Sequence, residues 1–182
     1  MIGEQYISYH IYEVKGLDKK ERELVRAAVM ARQSAQAPYS HYWVGAAVES
    51  VSGRVFLGCN VERATYTQTS HAEQVAVDSM IVAEQCGVKI KRIAIACGPE
   101  NLRIIWPPAA ATNEQRKMWK PSVPCGHCLA IIWENCHDDK NVEILDFNLT
   151  TLSVTKITMG NAFPFRFGPK DLGIDYSKPT MK

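Results

Sequence analysis

SHAEQVAV, residues 70–77, is where the chain changes its period. Just before it, WVGAAVES (43–50) and RVFLGCN (54–60) read as two strands, with VSGR (51–54) as a hairpin turn between them. From about His71 to Gln85 the pattern turns helical, and Cys86-Gly87 reads as its stop. RIAIAC (92–97) follows as an apolar, buried strand. Two strands, a helix and a third strand set an α/β frame.

Working outward, the frame extends in both directions. Asp18 with Glu21 three residues on reads as a capping box, and a helix runs near 19–36 with Leu24, Val25, Ala28, Val29 and Ala35 on one stripe. APYSHY (37–42) ends it. Residues 1–16 give no firm assignment, although YISYHIYEV (6–14) alternates enough for a short strand. Downstream, a long irregular piece covers 98–123, and TNEQRKMW (112–119) within it has helical character. A loop of that length is unusual inside a compact domain. Another helix is expected from Pro124 or Cys125. NVEILDF (141–147) and LSVTKI (152–157) read as late strands, and the tail from about 159 is rich in Pro, Gly and Phe. The order α-β-β-α-β-α-β-β predicts a three-layer α-β-α architecture with a mixed five-stranded sheet, since its first two strands form an antiparallel hairpin. Residues 1–182 are read as a single domain carrying the 98–123 insert and that tail.

Composition excludes several classes of function. The net charge is only +2, so no strong field draws the chain to nucleic acid or an anionic membrane. No apolar run approaches the roughly 20 residues that span a bilayer. The first residues lack the basic and apolar regions of a secretory signal. With no such signal, the six cysteines are read as thiols or metal ligands rather than disulfides, and the location as cytoplasmic.

VPCGHC (123–128) raises the question of chemistry. Cys125 and Cys128, three apart, share one face of a helix, and at its first turn both thiolates can reach one ion. The helix dipole there favours negative charge. Alone, a Cys-x-x-Cys pair serves metal binding or redox chemistry about equally, with chance a lesser third. A redox pair usually follows an early thioredoxin-like strand, which is not the order here. His127, between the two, is expected to point elsewhere. A closed structural zinc site needs four protein ligands, and the other cysteines are single and scattered. His71 also begins a helix after a loop. Two converging helix N-termini would bring His71, Cys125 and Cys128 together, with the fourth position open, as in catalytic zinc. Glu73, two residues past His71, can line the same cavity as a proton shuttle. Alone, His71 reads as a cap or core histidine and Glu73 as a solvated first-turn acid. The joint pattern H-x-E … P-C-x-x-C is a signature of zinc nucleobase deaminases. The neutral Gln74 suits a site whose two thiolates already balance Zn²⁺.

Over roughly 38–174 the sequence resembles the cytidine deaminase family. PYSHYWVGAAV (38–48) resembles the family's Pro-Tyr-Ser-x-Phe-x-Val-Gly-Ala segment, and GCNVERATY (58–66) its Gly-x-Asn-x-Glu-x-Ala segment. HAEQ (71–74) and PCGHC (124–128) match the branch with a histidine ligand, and FGPKDL (167–172) resembles the tail of that branch's catalytic domain. The resemblance implies one Zn²⁺ per subunit, held by His71, Cys125 and Cys128. It implies that Glu73 moves protons from water to N3 of the pyrimidine and on to the amine, so that cytidine becomes uridine and ammonia leaves. Asn60 and Glu62 would bind the ribose 3′-hydroxyl. Tyr42 stands where the family has a Phe against the base. Ala72 is placed among the substrate-binding residues, and Phe167 closes the pocket or that of a neighbouring subunit.

Departures from the family fall at Val123 (usually Ser or Thr), Leu129-Ala130 (usually Arg-Gln), Tyr42 and the long 98–123 segment. All but the Leu-Ala pair are expected near the 4-amino pocket or its entrance, which leaves open a 4-substituted or analogue cytosine nucleoside. Members of this branch carry a degenerate second domain. Identical subunits are expected to replace it here, as a homotetramer or homodimer with Pro164, Phe165 and Phe167 at the interface. Two competing readings stand beside this one. The first is a deaminase of cytosine within nucleic acid, which needs a basic aromatic groove. The clusters KGLDKKERELVR (15–26) and VKIKR (88–92) read instead as solvated faces. The second is a non-enzymatic zinc module, against which Glu73 beside an incomplete ligand set argues.

Overall fold

The computed structural model describes residues 4–85 and 87–174. Its sheet has six strands, β1 (Tyr9–Tyr12), β2 (Tyr42–Ser50), β3 (Val55–Cys59), β4 (Ile90–Pro99), β5 (Glu143–Asn148) and β6 (Ser153–Thr158), in the order β1-β6-β5-β4-β2-β3. The β4–β5 pair is parallel and the other pairs are antiparallel. The helices are α1 (Lys19–Arg32), α2 (Ala72–Glu84), α3 (Asn113–Lys117), α4 (Gly126–Asn135) and α5 (Met159–Ala162).

Five strands were expected, and the sixth is β1. Its four residues pair with β6, Tyr9 opposite Ile157 and Tyr12 opposite Val154. It is an edge strand, largely exposed, so the burial that would mark it in sequence is weak. Helix α1 stops at Arg32 and not near 36. The reason is local: the Gln36 N–H donates to the Asn60 carbonyl and its own carbonyl accepts from the Glu62 N–H, so the chain leaves the helix to pair beyond β3. The capping box at its start is present in both directions, Asp18 to the Glu21 N–H and Glu21 to the Asp18 N–H. Helix α2 ends at Glu84, and Gln85 follows with φ of 67°. Cys86 lies outside the described residues, as does the tail from residue 175.

The sheet separates two cores. On one face Ala47, Ala94, Ala96, Leu145, Phe147 and Val154 meet Leu24, Val25 and Ala28 of α1. On the other Ala46, Val48, Ile93, Ile95, Ile144 and Ile157 meet Ala76, Val77 and Met80 of α2 and Ile132 of α4. The alternation along each strand is the period-2 pattern of a sheet covered on both faces.

Two glycines set how closely the helices approach. A Cβ on Gly45 would lie 2.2 Å from the Ala28 carbonyl oxygen, and one on Gly58 would lie 2.2 Å from the Ala72 carbonyl oxygen and 2.5 Å from the Ala76 nitrogen. The first turn of α2 therefore rests directly on β3.

The long segment after β4 is clamped at both ends. The Arg32 guanidinium, 2% exposed, donates to the carbonyls of Trp43 (3.1 Å), Leu102 (3.1 Å), Gly98 (2.8 Å) and Pro99. The TNEQRKMW stretch does contain a helix, α3, with Thr112 as its cap. Past it, the Trp119 indole N–H donates to the Thr151 carbonyl (3.1 Å), and the Ser122 N–H to the Thr155 hydroxyl (3.0 Å).

Gly58→Ala is expected to push α2 off the sheet, with an overpacking cost of about 1–3 kcal/mol. Thermal unfolding should show a lower Tm, and metal analysis should show weakened retention by His71 at the end of the displaced helix.

Candidate active site

His71 and Cys125 occupy the same structural position, the N-cap of a helix. His71 caps α2 and Cys125 caps α4, both with extended backbone and neither side chain spent on a capping hydrogen bond. Pro124 therefore lies just before the helix and not within it. Cys128 sits one turn into α4 and is fully buried. The His71 Nδ1 lies 3.6 Å from the Cys125 Sγ and 3.4 Å from the Cys128 Sγ, and the three ligand atoms all fall within 4.8 Å of one another.

The spacing suits zinc. With Zn–S about 2.3 Å and Zn–N about 2.0 Å in a tetrahedron, ligand atoms stand about 3.6–3.8 Å apart. Two sulfurs and one imidazole match the softness and charge that zinc takes. Among the described residues no fourth His, Cys, Asp or Glu joins the group. Three protein donors with access from a cavity is the arrangement of a catalytic centre. His127 stays outside the trio, and its ring packs edge-on against His71, centroids 5.4 Å apart.

A cavity of about 490 Å³ opens over the trio, lined by His71, Ala72, Glu73, Val123, Pro124 and Cys125. Glu73 is only 6% exposed and its carboxylate faces the Cys128 thiol. The start of a helix lets His71 and Glu73 share one cavity although they are two residues apart. Tyr42, Asn60 and Glu62 line the same cavity. Asn60 is also part of the framework. Its side chain accepts from the Val44 N–H (2.9 Å) and donates to the Tyr42 carbonyl (2.9 Å), tying β2 to the residue after β3. Glu62 accepts through Oε2 from the Tyr39 and Ser40 N–H groups, 2.9 and 3.1 Å. Against the opposing effect of burial, Ser40, the Tyr39 N–H and the nearby His41 hold its carboxyl below the ordinary value. Phe167 is 66% exposed and is not among the residues lining this cavity.

Asp146, Cys97, Ser122 and Asn148 also line the cavity, and sequence reasoning singles out none of the four for the site. Asp146 carries a signal: it interrupts the apolar run ILDF of β5. It is 3% exposed, and burial, then the Glu73 charge, pushes its carboxyl up to about 7.

Fold and site together define a zinc enzyme of α/β architecture whose metal faces a cavity with an acid beside it. The family model of the cytidine and deoxycytidylate deaminase zinc-binding region matches residues 18–143. The chain belongs to this family. It is 29% identical over 153 residues to the cytidine deaminase of Sporosarcina psychrophila, covering 82% of this chain and 93% of that one. To the cytidine deaminase of Halalkalibacterium halodurans it is 30% identical, covering 82% and 95%. To that of Vibrio cholerae serotype O1 (strain M66-2) it is 30% identical over 183 residues, covering 95% of this chain but 47% of the relative, so it spans about half that protein's length. The crystal structure of cytidine deaminase from Burkholderia pseudomallei superposes with a TM-score of 0.62 at 29% identity, over 83% of this chain and all of that one.

Substituting His71, Cys125 or Cys128 by Ala should reduce bound zinc from one per chain to well below one, read by elemental analysis. A strong chelator should lower the Tm of the native chain and have little effect on that of the variants.

Proposed function

We propose that the chain hydrolyses cytidine and deoxycytidine to uridine and deoxyuridine with release of ammonia. The observation that carries this is the buried Glu73 in one cavity with the His71–Cys125–Cys128 trio. Zinc held there supplies a Lewis acid that lowers the pKa of bound water to about 7. Glu73 accepts a proton from the attacking water and delivers it to N3 of the base. It then carries a proton to the exocyclic amine, which departs as ammonia.

Asn60 and Glu62 bind the ribose, and their backbone hydrogen bonds pre-orient both side chains at the cavity mouth. Tyr42 packs beside the base. Ala72, fully buried in the first turn of α2, contributes to the wall of the base pocket. A free nucleoside suits this pocket better than a polynucleotide, since the net charge is only +2. No helix among the described residues is long and apolar enough to cross a membrane. Thiolate ligands favour a reducing compartment, which supports a cytoplasmic location. The exposed Phe165, Phe167 and Leu172 support assembly of identical subunits, as a homodimer or homotetramer, with Phe167 closing a neighbour's pocket. The whole is read as one catalytic domain with its 98–123 insert.

Glu73→Gln should slow ammonia release from cytidine at least about 100-fold while zinc content stays at one per chain. Unimpaired turnover in this variant would remove the mechanism. Light scattering should give a mass of two or four chains, and a fully active monomer would refute the assembly.

A further inference from the structure

Beyond the trio and Glu73, the cavity holds a second set of polar side chains on its far wall. Cys97 on β4 donates its thiol proton to the Asp146 Oδ1 across 3.7 Å, and Ser122 lies beside this carboxyl. Tyr42 in turn lies beside Cys97. A polar run therefore extends from Tyr42 on β2 through Cys97 to Asp146 on β5, with Ser122 at its end. All four residues line the cavity. The rest of that sheet face is apolar: Ile95 stands opposite Asp146 in β4, and Ile144 precedes it on the same side of β5.

A buried carboxyl in such surroundings is costly unless its oxygens are well partnered. Neither partner of Asp146 is a cation, and a thiol is a weak donor. Its position relative to the reacting atoms is informative. Glu73 rides on α2, which packs over β2 and β3, whereas Asp146 is on β5, separated from β2 by β4. Glu73 thus enters the cavity from the β2–β3 side of the sheet and Asp146 from the β5 side. In a cytosine ring, N3 and C5 flank C4. With C4 at the trio and N3 toward Glu73, C5 turns toward Asp146.

We propose that Asp146, flanked by Cys97 and Ser122, forms a subsite for a hydrogen-bonding substituent on C5 of the base. The pocket then prefers cytosine nucleosides bearing a hydroxymethyl or similar group there. This rests on the deaminase reading above and specifies its substrate. An unsubstituted C5–H offers Asp146 no hydrogen bond, and a methyl group sets an apolar surface against it. A hydroxyl on that carbon gives the carboxyl a stronger donor than the Cys97 thiol. The raised Asp146 pKa, about 7, fits a group able to accept or donate near neutrality. The reaction itself is unchanged: water enters at C4 and ammonia leaves.

The test compares kcat/KM for 5-hydroxymethylcytidine and 5-methylcytidine on the zinc-loaded full chain. The expected ratio is about tenfold or more, the value of one hydrogen bond to a buried carboxyl. In Asp146→Leu the ratio should fall to near one, mainly through KM for the hydroxymethyl substrate. Asp146→Ala is read the same way and serves if the leucine variant does not fold; zinc content and Tm report folding in each. A native ratio near or below one, or a ratio kept in the alanine or leucine variant, overturns the proposal. If the native chain turns over cytidine but shows no such ratio, only the subsite falls. If it releases no ammonia from cytidine, the deaminase reading falls with it.

Discussion

The convergence of two helix N-termini on one point holds the rest of the site in register. Helices α2 and α4 each present a capping residue, His71 and Cys125, whose side chain is withheld from its own helix and given to the shared point. The positive ends of both helix dipoles lie there and attract negative charge. A cation bound between them then ties together segments 54 residues apart in sequence. The contact at Gly58 sets the height of α2 above the sheet, and so the height of His71 and Glu73 above the cavity floor.

Several residues lining the cavity also build the fold. Asn60 satisfies two backbone groups of β2, and Glu62 gathers two N–H groups of the 39–40 turn. A polar side chain fixed by backbone partners loses little further rotamer freedom when a ligand arrives, which suits such residues to the proposed ribose grip. The same economy appears in His127, which sits between the two cysteines and packs against His71.

What the sequence made legible follows from how local each signal was. The capping box at Asp18, the 51–54 hairpin turn and the short helix after Thr112 are written in neighbouring residues, and all are present. The metal trio was legible through its motif spacing, although its ligands come from distant segments. Strand β1 was faint because its pairing with β6 spans about 140 residues and its side chains are mostly exposed. Of the polar wall of Asp146, Cys97 and Ser122, only Asp146 marks itself in sequence, by interrupting an apolar run; the other two look ordinary alone. Only the parallel pairing of β4 with β5 and the return of the long segment to Thr155 bring them together.

The anchors of the segment between β4 and α4 have a consequence for how this protein can vary. Arg32 grips its first residues and Thr155 its last, while Gln115, Arg116 and Trp119 tie its middle to Thr150, Glu13 and Thr151. The entropic cost of closing a flexible loop rises only with the logarithm of its length. Residues can be gained or lost between those ties with little disturbance of Pro124 and Cys125. There the stretch is surface, on which a lineage can try new contacts while its chemistry stays put.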